Sequence, residues 1–519
     1  MKLEAFSIAW FYFCINVSFS NGRSVSGNYS GINNIPPVRA VNLGGWLVTE
    51  GWMRPSLFDA IPNNDFLDGT RMQFKSVAVG TFLRAENDGG TNVVAKGTAE
   101  TDWETFRLWR MNETTFNLRV SSGKFVGLRN GIDVVAVADA PTVTETFEFH
   151  RNPHDFNRLR IKASNGFFLQ VKSKELVSAD YEGDGGWGDE NPSVFLITNG
   201  GKLRNEYQMR GEYQITNGYG PLLAPKVMKE HWNTFVVEND FKFIKKIGLN
   251  AVRVPVGWWI AYDPNPPKPF VGGSVLALDK AFSWAEKYGI KVIINLHAAP
   301  GSQNGWEHSA SRDGSQEWGK TNHTIQQTIH VIEFLTARYA KSPSLYAVEL
   351  INEPRSPGVS LDTLSNFYRA GYDVVRKHSQ TAYVVWSNRL AGPHQPRELF
   401  NLAKGLNKIV IDVHMYNLFT SFFDGLTVQE HIDYVYNNRS AELKEITTPD
   451  GPLVFIGEWV AELPAGINAT KDDRIRFGEA QLQVFGRATF GWAIWGLRNV
   501  EKNKYWNLEW MINNGYIKF

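Results

Sequence analysis

Cysteine is nearly missing from this chain of 519 residues: Cys14 is the single one. No disulfide framework can form within the chain, and neither a cysteine nucleophile nor a cysteine metal cluster is in prospect. An excess of one charge is missing too, with 54 Lys and Arg against 53 Asp and Glu. That balance removes the sequence-wide basic surface that phosphate backbones require. There is no G-x-S-x-G elbow for a serine nucleophile. His297, His308 and His414 are scattered, without the His-x-x-x-His spacing of a zinc helix, so no metal is expected. Gly183–Gly188 fits G-x-G-x-x-G, but no helix pattern follows it, and no nucleotide or other cofactor is expected. Asp180, Glu182, Asp184 and Gly185 open like a calcium loop, yet the twelfth position is Asn191 and no helix pair flanks it. What is abundant is aromatic surface, 13% of residues with 18 Trp. Such side chains fill cores and also stack on flat apolar faces, sugar rings among them.

Long apolar runs are missing except at the start. Ala5–Phe19 is an uncharged stretch of 15 residues after Lys2, short of the roughly 20 that span a bilayer. Small residues at Ser18 and Ser20 complete a secretory signal with cleavage after Ser20. Cys14 leaves with it, so the mature chain has no thiol and relies on a large core. Secretion gives meaning to the Asn-x-Ser/Thr sites at Asn28, Asn112, Asn322, Asn438 and Asn468. The expected product is an extracellular glycoprotein of the cell wall or apoplast.

Residues 72–198 read as all-β and repeat themselves. Phe74–Ala85, Leu118–Leu128 and Leu159–Val171 are three similar hairpin segments with turn glycines Gly80, Gly123 and Gly166, each 43 residues from the next. Glycine there supplies the positive φ of a tight turn. Three copies predict a β-trefoil, which resembles the fascin-like domain; its ligand stays open. The rest, residues 21–71 and 199–519, alternates strand and helix. Strand-like runs fall at 39–43, 250–256, 291–296, 346–351, 383–386, 409–413, 453–456 and 491–495, and helical periodicity at 235–247, 276–288, 325–339, 364–377 and 474–485. Eight strands with helical crossovers predict an α/β fold, a (β/α)8 TIM barrel interrupted after its first strand by the trefoil. A doubly wound open sheet is the alternative.

In such a barrel the active site lies past the strand C-termini. Reading those positions yields Asn42 and Glu50, then Arg253, His297, Asn352 with Glu353, His414 with Tyr416, Glu458 with Trp459, and Trp495. Polar groups that end apolar runs are costly unless paired or functional. Glu353 and Glu458 suit hydrolysis of a glycosidic bond, which needs one carboxyl to protonate the leaving oxygen and another to stay ionised. Arg253 beside Glu458 would favour its ionised form.

Asn352-Glu353-Pro354 and Ile456-Gly457-Glu458-Trp459 resemble the motifs of glycoside hydrolase family five, the cellulase family. Asn42-Leu-Gly-Gly-Trp-Leu-Val-Thr-Glu50 and Leu296-His-Ala-Ala-Pro-Gly-Ser-Gln-Asn-Gly305 resemble its exo-β-1,3-glucanase branch, and a barrel split by a fascin-like insertion looks like its plant members. The resemblance covers about three quarters of the chain. It implies a retaining mechanism with Glu353 as acid/base and Glu458 as nucleophile. It also implies that Asn352 bonds the sugar 2-hydroxyl, that His297, His414 and Tyr416 surround the first sugar, and that Trp495 lies beneath it. By the same resemblance Glu50 grips the non-reducing end, while Trp306 and Phe419 clamp the next sugar; Phe422 and Phe423 compete for the last role. The expected partner is a β-glucan poly- or oligosaccharide, with no nucleic acid and no membrane span in the mature chain. An endo-β-glucanase or β-mannanase, and a wall-binding protein acting through its trefoil, are the alternatives.

Overall fold

The structure is a computed structural model that describes residues 37–183, 185–199, 208–390, 395–500 and 503–519. Cys14, the apolar segment 5–19 and the Asn28 site lie outside the described residues. Among the described residues no helix is long and apolar enough to cross a membrane.

Eight parallel strands close into one barrel in chain order. They are Val38–Asn42, Ala251–Gly257, Lys291–Ala298, Leu345–Glu349, Tyr383–Ser387, Ile409–His414, Leu453–Trp459 and Gly491–Ile494. Val38–Val41 pair with Gly491–Ile494 and close the ring, which excludes the open doubly wound sheet. Successive side chains on a strand face opposite ways. Val41, Val252, Ile294, Val348, Ile411 and Ile456 point outward into the large core shared with the helices. Their neighbours Ala40, Ala251, Ile293, Ala347, Val410 and Phe455 form a separate apolar plug inside the barrel. Two residues further along six of the strands, the inward positions are Asn42, Arg253, Asn295, Glu349, Ser387 and Asp412, all polar and all buried. The barrel interior thus changes from apolar to polar within one layer.

Helices cover all five expected windows, as Glu238–Lys246, Ser274–Tyr288, Asn322–Tyr339, Leu361–His378 and Lys471–Phe485. One long helix, Glu212–Thr234, carries no clear helical period in its sequence, because Pro221 and Pro225 lie inside it and Gly220 breaks it at φ 68°. Breakers of this kind read as loop in a sequence.

The trefoil forms between the first and second barrel strands. Arg71–Ser76, Phe106–Arg110, Thr115–Arg119, Thr146–Arg151, Arg158–Ala163 and Phe195–Asn199 pair around a closed ring. Three hairpins cap it: Phe82–Ala85 with Val93–Gly97, Phe125–Arg129 with Asp133–Ala138, and Phe168–Ser173 with Leu176–Tyr181. The repeat glycines Gly80, Gly123 and Gly166 adopt φ 71°, 91° and 91° at equivalent turns. Phe66, Phe74, Phe106, Phe116, Phe147 and Phe149 fill the centre.

Barrel closure depends on one glycine. Gly491 has φ 127°, and a Cβ there would lie 2.0 Å from the Val38 carbonyl oxygen. Gly491→Ala is expected to part the closing strand pair and cost about 3 kcal/mol or more of stability. Urea unfolding checks this; a midpoint equal to the wild type's would refute it.

Candidate active site

Arg253 stands at the centre of the polar layer, fully buried. Its Nε and Nη2 donate to the two oxygens of Glu349 at 2.7 and 2.8 Å. Nη2 also donates to Asn352 Oδ1 at 2.6 Å, and Nη1 to Asn42 Oδ1 and Glu458 Oε1, both at 2.9 Å. Asp412 Oδ2 is 3.6 Å from Nη2. Burial alone would lower the guanidinium pKa, but Glu349, Glu458 and Asp412 raise it further above its ordinary value. Around it Glu349 is pushed up to about 8, by burial first, against the pull of Arg253. Asn42 extends the network across the barrel, its Nδ2 donating to the carbonyls of Gly457 at 2.9 Å and Ile494 at 3.3 Å.

Above this layer stand the two glutamates. An oxygen of Glu353, one of Glu458 and a nitrogen of His414 lie within 4.8 Å of one another. His414 Nδ1 is 2.6 Å from Glu353 Oε1 and 3.5 Å from Glu458 Oε2, while its Nε2 is 3.1 Å from Asp412 Oδ2. Both ring nitrogens therefore face carboxylates. Burial would lower this imidazole's pKa, but Glu458, Asp412 and Glu353 raise it well above the ordinary value. A second imidazole, His308, places Nε2 3.2 Å from Glu353 Oε2. Burial opposes its charge, yet chiefly Glu353 lifts it to about 9. Tyr416 donates to Glu458 Oε2 at 2.9 Å.

The expected pull of Arg253 on Glu458 is present, and burial opposes it. Burial, with the charge of Glu353, leaves the Glu458 pKa raised. Glu353 is the group held low: burial works to raise it, and His414 and His308 overcome that. Glu353 also has φ 46°, the left-handed region that a non-glycine residue seldom occupies. The two groupings of Glu353, His414 and Glu458, and of Glu349, Asp412 and His414, have metal-ligand donor types. The carboxylates of both groupings are met by Arg253, which reaches Glu349, Glu458 and Asp412, and by His414, which reaches Glu353.

The remaining predicted residues line the opening. His297 Nδ1 is 2.7 Å from Asn295 Oδ1, which accepts, so Nε2 is left as an acceptor. Burial holds this ring's pKa well below the ordinary value. Its face stacks on Trp495, centroids 5.4 Å apart and planes 14° apart. Glu50 is buried; Trp52 Nε1 donates to its Oε2 at 2.9 Å, and Oε1 has no partner. Asn352 Nδ2 is likewise buried and unpartnered. Trp306 is 39% exposed and Phe419 61%. Of the three candidate phenylalanines, Phe419 stands against Tyr416 and Trp506, at 5.4 and 6.3 Å. Phe422 and Phe423 turn instead to Tyr434. The glycosylation asparagines Asn112, Asn322, Asn438 and Asn468 are all exposed on the outer surface.

Sequence reasoning missed Glu349, Asp412, Trp52 and Trp506 and gave His308 no specific partner. A signal for the first two exists: each is a carboxylate inside an apolar strand, two residues beyond an inward alanine or valine, in Ala347-Val-Glu349 and Val410-Ile-Asp412. Nothing local marks the tryptophans, which meet each other at 5.4 Å only after folding.

Residues 218–501 match the sequence profile described as Cellulase (glycosyl hydrolase family 5), more than half of the chain. The chain belongs to glycosyl hydrolase family 5. It is a glycoside hydrolase. A "Probable glucan 1,3-beta-glucosidase A" from Aspergillus terreus is 32% identical over 346 residues, 59% of this chain and 80% of that protein. Its counterpart from Emericella nidulans is 31% identical over 343 residues, 59% of this chain and 82% of that protein. The barrel superposes on the rutinosidase from Aspergillus niger with a TM-score of 0.51, at 19% identity over 59% of this chain and 88% of that one; this likeness is one of fold alone. Residues 63–199 match a profile described only as a domain of unknown function (DUF7910), so the fascin-like name has no support from it.

Two buried carboxyls near the opening give this family 5 chain a pH signature. Burial first pushes Glu50 up to about 8, and burial pushes Glu212, which accepts from Thr49 N and Oγ1, up to about 7. Both hold a proton in the folded state that the unfolded chain releases above its ordinary carboxyl pKa. Their stabilising contribution is complete below about pH 4.5 and declines as pH rises toward 7 and 8, by about 1.4 kcal/mol per unit for each group. Urea unfolding at pH 5 and pH 8 is expected to show a smaller loss on alkalinisation in Glu50→Gln and in Glu212→Gln than in the wild type. Equal losses in all three proteins would refute the assignment.

Proposed function

We propose that the protein is a secreted, retaining β-glucosidase that removes glucose from the non-reducing ends of β-1,3-glucan or related oligosaccharides. The supporting observation is the carboxylate pair, with oxygens inside 4.8 Å, bordered by the orphaned Glu50 Oε1 and Asn352 Nδ2. Retaining enzymes hold their carboxyls about 5–5.5 Å apart, and inverting ones leave about 6.5–9.5 Å for a water. Buried polar atoms without partners suit a ligand made of hydroxyl groups. The name of the fungal relatives, probable glucan 1,3-β-glucosidase A, supports the choice of sugar and linkage.

In this reading Glu353 draws a proton from His414 or His308 as the glycosidic oxygen approaches and passes it to that oxygen. The bond from the anomeric carbon to the oxygen breaks, and Glu458 forms an ester with the carbon. Arg253 and Tyr416 orient the nucleophile. Glu353, now ionised, takes a proton from water, whose oxygen displaces Glu458 and restores the starting configuration, and Glu353 returns that proton to the imidazole that supplied the first. Asn352 Nδ2 serves the 2-hydroxyl, His297 and Trp495 hold the ring, and Glu50 bonds the terminal hydroxyls. Trp306 and Phe419 flank the next sugar. Residues 1–20 are assigned as the secretion signal, 72–198 as the trefoil, and 21–71 with 199–519 as the barrel; Asn28, Asn112, Asn322, Asn438 and Asn468 are assigned as glycan sites.

Time-resolved proton NMR on a β-1,3-linked gluco-oligosaccharide tests the reading. β-Glucose is expected first, with the α-anomer growing in by mutarotation. Glu458→Gln is expected to abolish turnover. Glu353→Gln is expected to lower the rate on the oligosaccharide by about 10²–10⁴-fold, and much less on an aryl glucoside whose phenolate leaves unprotonated. Release of α-glucose first, or of oligosaccharides alone, would overturn the assignment.

A further inference from the structure

We infer that the trefoil is a positioning module for the acid/base, acting through one loop of the barrel. The loop is 299–318, between the third strand and helix Asn322–Tyr339. It carries Trp306 and His308 into the cleft, and its far side meets the trefoil. Trp109 Nε1 and Arg119 Nη1, both from the trefoil ring, donate to Asp313 Oδ2, each at 2.7 Å. Asp313 Oδ1 accepts from Ser315 N at 3.0 Å, so both carboxylate oxygens are committed. The side chain of Asp313 is fully buried and that of Arg119 is 17% exposed. Next to it, Arg312 lies 3.9 Å from the Trp109 ring centroid, and its Nε donates to Asp68 Oδ1 at 2.8 Å.

From Asp313 the path to the chemistry is short and made of backbone. Gly314 follows it, and a Cβ on Gly305 would lie 2.7 Å from the Gly314 carbonyl oxygen. The two limbs of the loop therefore touch main chain to main chain, with no side chain between them to absorb a shift. Gly305 lies between Asn304 and Trp306. Asn304 Oδ1 accepts from Trp306 N at 3.0 Å, and its Nδ2 donates to the Glu353 carbonyl at 3.2 Å. Ser311 N donates to the Trp306 carbonyl at 3.2 Å. At the end of this path His308 Nε2 stands 3.2 Å from Glu353 Oε2. The barrel holds the loop from its other side, where Gln214 Nε2 donates to the carbonyls of Ser311 and Arg312, both at 2.9 Å.

An apolar seam would be enough to join two domains. Here instead charge-assisted, directional bonds converge on one carboxylate of one active-site loop, and such bonds fix geometry as well as proximity. A misplacement of about 1 Å at a reacting group can cost up to about a hundredfold in rate. The trefoil thereby sets where His308 meets Glu353 and where Trp306 meets the incoming sugar. This deepens the hydrolase reading and rests on it.

The test uses the full chain with the double variant Trp109→Phe/Arg119→Met and, separately, Asp313→Asn. Three readouts are compared: a β-1,3-linked glucotrisaccharide, an aryl β-glucoside, and hydrogen exchange of peptides from 299–318. On the trisaccharide, kcat/KM is expected to fall about tenfold, through kcat as His308 shifts from Glu353 and through KM as Trp306 shifts from the second sugar. The aryl glucoside, which uses only the first sugar site, is expected to lose much less. Exchange is expected to rise in 299–318 and not in the barrel strands. Wild-type kinetics and exchange in both variants would overturn the proposal, as would equal losses on both substrates that track a lower Tm. A wild type inactive on both substrates would sink the hydrolase reading instead, and the exchange comparison would still decide this one.

Discussion

A guanidinium sealed inside a protein must be surrounded by acceptors, and at Arg253 this requirement organises the barrel's active end. Its donors are taken by side chains from the first, fourth and seventh strands or the turns just past them: Asn42, Glu349, Asn352 and Glu458. Removing one charge from such a cluster leaves the others buried and uncompensated. The strands are thus locked in mutual register at the layer where chemistry begins. The same cation also sets the local charge budget. Five acidic side chains, Glu50, Glu349, Glu353, Asp412 and Glu458, share that space with Arg253, His308 and His414.

The outcome of that crowding differs from a simple pairing of each acid with its nearest base. Glu458 touches Arg253 directly and is still raised, because burial and the Glu353 charge outweigh the contact. Glu353 touches no guanidinium and is lowered by two imidazoles. Proximity to one opposite charge does not settle a protonation state where several buried groups interact. The fold places two imidazoles, His414 and His308, against Glu353, one of them carried by the loop that the trefoil touches.

Much of this was legible in the residues. The eight strand windows, five helices and the three trefoil repeats stand where apolar periodicity and the evenly spaced glycines put them. Strands buried on both faces read as short apolar runs bounded by turns, which is a strong local signal. The motif residues at strand ends were legible for the same reason, since a polar group closing an apolar run stands out. Glu349 and Asp412 stood inside runs and were passed over, although the period of two that places Ala347 and Val410 inward places them inward as well. The helix Glu212–Thr234 was hidden by its own prolines. Trp52 and Trp506 join Tyr416 and Phe419 from distant parts of the chain, and no spacing rule connects them.

By itself the sequence determined the alternation of elements and the inserted threefold unit, because these follow from side-chain period, turn chemistry and residue type. Tertiary structure alone decided which groups share protons and what the insertion touches. Proton affinity depends on burial and on charges brought together across hundreds of residues, as Arg253 and Glu458 are. The contact of Trp109 and Arg119 with Asp313, some 200 residues apart in the chain, exists only because the trefoil folds back onto the barrel's third loop.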